Sequence, residues 1–198
     1  AKANALLDEA GWKKGSDGIR AKDGKKLKLL FQTSINAPRQ KTQAIIKQAA
    51  AKAGIEIELK SVTGSVFFSS DPANPDTCTH FYADMEMYAY SMTQADPAIW
   101  LLMYASWEVA QKANKWQGRN VVRWRNAAYD KAYNAAQSEL DPVKRAALLI
   151  TCNDLAVSEN VLPLIHRAEV SAVGATLTAP RSGWDNDLSF LPDWYREA

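Results

Sequence analysis

The stretch LKLLFQTSINAPRQKTQAIIKQAAAKAGIEIELK, residues 27–60, constrains the fold more than any other part of the chain. Leu27 to Phe31 is apolar enough for a strand covered on both faces. Its continuation, Thr33-Ser34-Ile35-Asn36-Ala37-Pro38, is a polar loop in which Pro38 keeps Ala37 out of the helical region. From Arg39 the period changes. Thr42, Ile45, Ile46, Ala49 and Ala53 share one helical face, with Lys41, Lys47 and Lys52 away from it. Gly54 then stands where a helix ends in a left-handed residue. Ile55, Ile57 and Leu59 alternate with Glu56, Glu58 and Lys60, the pattern of a half-buried strand. A strand, a helix and a strand in so short a stretch form a crossover unit whose two strands lie parallel. The spacing therefore predicts an α/β lobe.

The flanking segments add smaller elements. Ala3, Leu6, Leu7 and Ala10 repeat at helical spacing before Gly11, a stop signal. Asp23-Gly24 between two short apolar runs predicts a hairpin. SVFFSSDPANPDTCTHF is rich in breakers and reads as a long surface loop, of a length usually kept for function. DMEMYAYS predicts a buried strand that leaves its sheet through Met92-Thr93-Gln94-Ala95-Asp96-Pro97. Asp96 and Pro97 suit the start of a short helix over Ile99 to Tyr104. Asn126 caps a predicted helix with Tyr129, Ala132, Tyr133 and Ala136 inward; Asp141-Pro142 opens another with Val143, Ala147, Ile150 and Leu155 inward. Val161 to Ala172 reads as a strand that Pro163 confines to an edge or a strand start.

Several function classes drop out. The net charge is +2, with basic and acidic residues interspersed, so no nucleic-acid footprint exists. No apolar run is long enough for a membrane span. His80 and His166 are the only histidines and neither has a partner at metal-ligand spacing, so neither a metal nor a cofactor is expected. No GxSxG turn, no phosphate-binding glycine pattern and no cysteine beside a histidine is present. No catalytic residue is assigned, and the chain reads as a binder rather than an enzyme.

Aromatic side chains are what remains. Four of the seven tryptophans, Trp100, Trp107, Trp116 and Trp124, crowd residues 100–124, with Tyr88, Tyr90 and Tyr104 near them. Each is either core packing or, beside polar loops, a flat surface for a ligand. The two cysteines, Cys78 and Cys152, are either small buried hydrophobes or a pair. The opening AKANALLDEAGWKKG shows no signal-peptide pattern and reads as the interior of a longer chain.

The run FYADMEMYAYSMTQADPAIWLLMY, followed by WQGRNVVRWRNAAYDKAYNAAQSELDPVKRAALLITCNDLAVSENVLPLIHR, resembles family 5 of the extracellular solute-binding proteins, the peptide, oligopeptide and nickel-type receptors of ABC importers. The likeness lies in the order of the elements, and residues 1–198 resemble that family's carboxy-terminal lobe. It implies a type II periplasmic-binding-protein-like lobe, a mixed and mostly parallel sheet flanked by helices, with residues 175–198 packing back toward an amino-terminal lobe. It implies capture of a peptide- or oligosaccharide-sized solute in an interlobe cleft, delivery to the permease subunits of the importer, no nucleic-acid partner, and a periplasmic or extracellular location, with a lipid anchor an option. A ligand-sensing domain of a transcription regulator with the same fold is the alternative. By position the ligand residues are Tyr90, Ser91, Met92, Thr93, Gln94 and Asp96, with Trp100 and Trp124 further off. Peptide-binding members carry an aspartate where this chain has Thr93, which favours a neutral or sugar-like ligand. Because members are exported, oxidation is permitted and Cys78 with Cys152 becomes a candidate disulfide.

Overall fold

The computed structural model of the chain describes residues 1–91, 94–166, 170, 172–180 and 188–196. The chain divides into two units, residues 1–89 with 111–117 and residues 90–110 with 118–198.

In the first unit, α1 (Lys2–Glu9) stops at Gly11, whose φ is 85°. An antiparallel ribbon follows, β1 (Lys13–Lys14), β2 (Arg20–Lys22) and β3 (Lys25–Lys26). Asp23 and Gly24 both take positive φ between β2 and β3, the backbone that an Asp-Gly hairpin turn needs. Arg20 is buried and donates to Ala53 O at 2.7 Å, Trp12 O at 2.6 Å and Asn4 Oδ1 at 2.8 Å, and pairs with Asp8. One guanidinium thus joins α1, the ribbon and the end of the next helix.

The core of this unit is β4 (Lys28–Ser34), α2 (Ala37–Lys52), β5 (Glu56–Val62), the short α3 (Gly64–Phe67) and β6 (Met85–Met87). The sheet order is β5-β4-β6, and both outer strands run parallel to β4. This sheet is wholly parallel; the antiparallel pairs lie in the separate small ribbons. Asn36 caps α2, Pro38 sits in its first turn, and Gly54 takes φ 84° just past its end.

The inward face of α2 differs from expectation. Ile45 is 67% exposed, and Gln43 is the side chain fully buried. The Gln43 amide donates to Phe31 O at 2.8 Å, and its oxygen takes Ser61 Oγ at 3.4 Å. A buried amide whose donor and acceptor are both engaged costs little, so the sheet selects the row through Gln43 over the row through Ile45. The long segment after α3 is also more than a surface loop. Asp76 accepts from Gln32 through its backbone carbonyl at 3.0 Å and pairs with Lys60 at 2.5 Å, while Thr77 and His80 are buried. Gln32 and Lys60 are neighbours across β4 and β5, so this loop covers the sheet face where a helix would otherwise lie.

The second unit is helical: α4 (Ala98–Leu101), α5 (Ala127–Ser138) and α6 (Pro142–Glu159). Asn126 accepts from the amides of Ala128 and Tyr129, and Asp141 from those of Val143 and Lys144, both as expected. Tyr129, Ala132, Tyr133 and Ala136 are buried, also as expected. In α6 the phase differs. Leu149, Cys152 and Ala156 are buried, Leu155 packs against them, and Val143 and Ile150 are 78% and 59% exposed. This helix carries two apolar rows at helical spacing, and packing against α5 decides which one turns inward.

Tyr129 and Tyr133 send their hydroxyls to Leu101 O and Ala98 O, satisfying carbonyls of α4 inside the core. Asn120, wholly buried, donates to Tyr104 O, Ala105 O and Trp124 O. At Gly118 a Cβ would stand 2.1 Å from Glu108 O, so the backbones there approach closer than any side chain allows. The strand expected over Val161 to Ala172 does not form: residues 161–166, 170 and 172 lie outside any strand. Pro163 removes one ladder donor, and among the described residues no strand lies alongside to pair. A short antiparallel pair, β7 (Leu177–Thr178) and β8 (Tyr195–Arg196), follows. Among the described residues no helix is long and apolar enough to cross a membrane.

Candidate functional site

Strand order singles out one edge of the parallel sheet. From β4 the chain crosses through α2 to β5 on one side, and β6 then adds on the other side. The order of connection reverses between β4 and β6, and in open parallel sheets ligands bind outside the carboxyl ends of strands at such a reversal. Two segments leave the sheet there, Ile35-Asn36 after β4 and Tyr88-Ala89 after β6.

The floor of this edge is polar and satisfied. Thr33 donates to Met87 O at 2.5 Å, and Ser34 accepts from Arg39 Nη1 at 2.5 Å. The Arg39 guanidinium lies 6.0 Å from the Phe68 ring centroid, within cation–π range. Phe68 meets Phe67 edge-on at 4.9 Å, and Phe67 contacts Tyr88 at 6.2 Å. Above the floor the rim is apolar and open: Ile35 is 56% exposed and Phe68 51%. Tyr90, expected to line a cleft, is 60% exposed where the chain leaves β6, and Ser91 beside it is exposed. Met92 and Thr93 lie outside the described residues.

The other expected site residues sit differently. Gln94 is exposed in a bend. Asp96 accepts from the Ala98 amide at 2.9 Å and from Arg145 Nη2 at 2.9 Å. The Ala98 amide first, and the Arg145 guanidinium with it, hold its carboxyl below the usual carboxylate range. Asp96 is therefore committed to its own turn and to α6. Trp100 packs edge-on against Tyr104 at 5.3 Å, and Trp124 against Tyr129 at 5.1 Å, both on the helical core. Trp124 also donates to Glu159 Oε2 at 2.8 Å. These two tryptophans fill structure.

Cys78 and Cys152 are free thiols, and the pairing implied for them is absent from this structure. Cys152 is buried in the helical core with its Sγ 3.9 Å from Tyr129 O, and Cys78 belongs to the loop over the sheet. Burial pushes each thiol up to about 11, so both stay protonated and unreactive at neutral pH. Arg39 and Phe68 escaped the sequence reading. Their signal was positional, since each follows the carboxyl end of a predicted strand. Among the described residues no cluster of His, Cys, Asp and Glu could hold a metal ion.

An open parallel sheet with a reversal point and an aromatic and cationic rim at its carboxyl edge is the α/β architecture in which small ligands bind. The chain belongs to a family of such binders: residues 1–111 match the model described as bacterial extracellular solute-binding proteins, family 5 Middle. Members of this family are transport receptors rather than enzymes. The chain is 32% identical over 148 residues to Protein XP55 of Streptomyces lividans, covering 74% of this chain and 24% of that protein. It is 28% identical over 143 residues to the oligopeptide-binding protein AppA of Bacillus subtilis, covering 71% of this chain and 24% of AppA. AppA's structure with a nonapeptide superposes on all of this chain and 37% of its own, at TM-score 0.68 and 21% identity. An oligopeptide-binding protein from Thermus thermophilus in complex with a pentapeptide is 28% identical, with TM-score 0.66, over 80% of this chain and 28% of that one. The fold is thus the α/β lobe of the periplasmic-binding-protein class, and the chain spans about a quarter of the curated relatives it matches.

Proposed function

We propose that this chain is the peptide-closing lobe of an ABC-importer receptor and that its ligand is an oligopeptide. The observation that carries the reading is Tyr90, exposed where β6 leaves the sheet at the reversal point. Support for the ligand class comes from the similarity to two oligopeptide-binding proteins. The oligosaccharide alternative finds no support among these relatives.

The turn after β6 sharpens the proposal. With Thr93 where peptide receptors place an aspartate, and Asp96 engaged by Arg145 and the Ala98 amide, this turn offers no unengaged carboxylate to a ligand's α-amino group. The peptide is then held through its backbone and side chains on the aromatic rim, and its amino terminus is countered elsewhere. The segment after α6 fits a lobe that continues into another: Leu162, Ile165 and Val170 are 72%, 74% and 92% exposed, apolar side chains suited to burial against further protein. We extend the proposal to residues 175–198 as the part that packs on the rest of the receptor, and to permease subunits as the partner that receives the ligand.

Titration calorimetry on the complete receptor tests this. Tripeptides to nonapeptides should bind, and Tyr90→Ala should weaken them by about 1–3 kcal/mol. Acetylating the peptide's amino terminus should cost less than about 1.4 kcal/mol, a factor of ten. Absence of peptide binding, or an unchanged affinity in Tyr90→Ala, would refute the assignment; a steep loss on acetylation would refute the amine argument alone.

A further inference from the structure

A second concavity lies at the other end of β6. His80 and Tyr82 precede that strand, whereas Tyr88 to Ser91 follow it, so the two places are separated by the strand itself. The concavity is open, with a volume of about 460 Å³. Its aromatic wall is Trp116, 4.4 Å from the His80 ring and perpendicular to Tyr82 at 5.6 Å. His80 is buried behind it with Nδ1 2.7 Å from Thr77 Oγ1, while Tyr82 is 61% exposed. Pro72, Ala73 and Pro75 form an aliphatic side. Lys112 and Lys115 complete the lining, and no carboxylate takes part in it. Among the described residues neither lysine forms an ion pair.

The backbone that presents these groups is strained in their favour. Phe81, Lys115 and Trp116 all take positive φ, at 43°, 53° and 61°, a region that non-glycine residues enter only when their surroundings force it. A turn over Lys112–Asn114 supplies the force. Gln111 and Asn114 cap it reciprocally, and the Trp116 amide returns to Gln111 O at 3.0 Å. Lys115 is the left-handed end of that turn, and the positive φ of Trp116 and Phe81 fixes the backbone on either side of the wall.

We propose that this concavity is a second binding site whose ligand is an acidic saccharide. A sugar ring stacks on the open face of Tyr82, its C–H groups lie against the proline side, and its carboxylate pairs with Lys112 and Lys115. An exposed aromatic face suits the C–H face of a pyranose chair, which needs only one flat surface to lie against. Lysines on flexible stems match the scattered charges of an acidic glycan, where an arginine fork would select one fixed carboxylate geometry.

The probe is trigalacturonate, titrated into the protein by calorimetry, with neutral maltotriose and a tripeptide ending in phenylalanine as comparisons. Trigalacturonate should bind, weaken as salt is raised, and weaken at least about tenfold in Tyr82→Ala and in the Lys112→Glu, Lys115→Glu double variant. Both lysines are exposed, so the double variant should fold, as far-UV circular dichroism would confirm, and its peptide binding should be unchanged. Equal binding of maltotriose would overturn the role of the lysines. Peptide binding that Tyr82→Ala abolishes and Tyr90→Ala leaves intact, without trigalacturonate binding, or no binding of trigalacturonate at all, would overturn the proposal.

Discussion

Removing the Asp96 carboxylate in two stages distinguishes a structural anchor from a ligand contact. Its Oδ1 accepts from the Ala98 amide at 2.9 Å, and the carboxylate pairs with Arg145 at 2.9 Å. Asp96→Ala deletes both contacts. Loss of the oxygen that takes the Ala98 amide costs about 1 kcal/mol. The ion pair adds less, because its side chains are 47% and 29% exposed and solvent screens them; about 0.2–1 kcal/mol is the range for such pairs. The expected loss is therefore about 1–2 kcal/mol. Asp96→Asn keeps an oxygen for the Ala98 amide and loses only the ion pair, so it should cost about 0.5 kcal/mol. The sign with pH follows from the depressed carboxyl. Its stabilisation is complete above the unfolded value of about 3.9 and disappears as pH falls through the lower folded value. The gap between the wild type and Asp96→Asn should accordingly close in strong acid. Urea unfolding followed by circular dichroism, at neutral pH and in acid, measures both quantities, and peptide titrations on the same variants should show unchanged affinity. A peptide affinity reduced tenfold or more in Asp96→Asn, with stability untouched, would make Asp96 a ligand group and not a structural anchor.

Gly118→Ala should be among the most damaging single changes in the second unit, at about 3 kcal/mol or more, since its Cβ meets backbone at 2.1 Å and 2.6 Å and backbone cannot step aside; thermal unfolding checks it. Thiol titration in denaturant should find two free thiols per chain, and in the native protein at pH 8 both should react slowly, Cys152 slower than Cys78; a count of zero in denaturant would restore the disulfide. Tyr129→Phe removes a buried hydroxyl from Leu101 O and should cost about 1–2 kcal/mol by urea unfolding, with an unchanged circular dichroism spectrum.

Much of the architecture is written in adjacent residues. Gly54, Asp23-Gly24, Asn126 and Asp141-Pro142 act on backbone within three or four positions, so their caps and turns appear where the sequence places them. The strand-helix-strand unit likewise follows from a change of period inside one stretch, and α5 has a single apolar face that can turn only one way. The helices α2 and α6 mark where this stops. Each offers two rows, and the choice of Gln43 over Ile45, or Leu149 over Ile150, depends on which sheet carbonyl or neighbouring helix stands opposite.

The candidate sites divide the same way. Tyr90 was singled out by the family resemblance, and the structure leaves it exposed just past the end of β6. The Arg39 and Phe68 rim, the commitment of Asp96 to Arg145 and the meeting of His80, Tyr82 and Trp116 join residues 29 to 49 positions apart. Contacts of that span leave no period and no spacing in the sequence. They exist only once the sheet and helices have closed the intervening loops and brought those side chains to one surface, and that closure was decided by the tertiary structure.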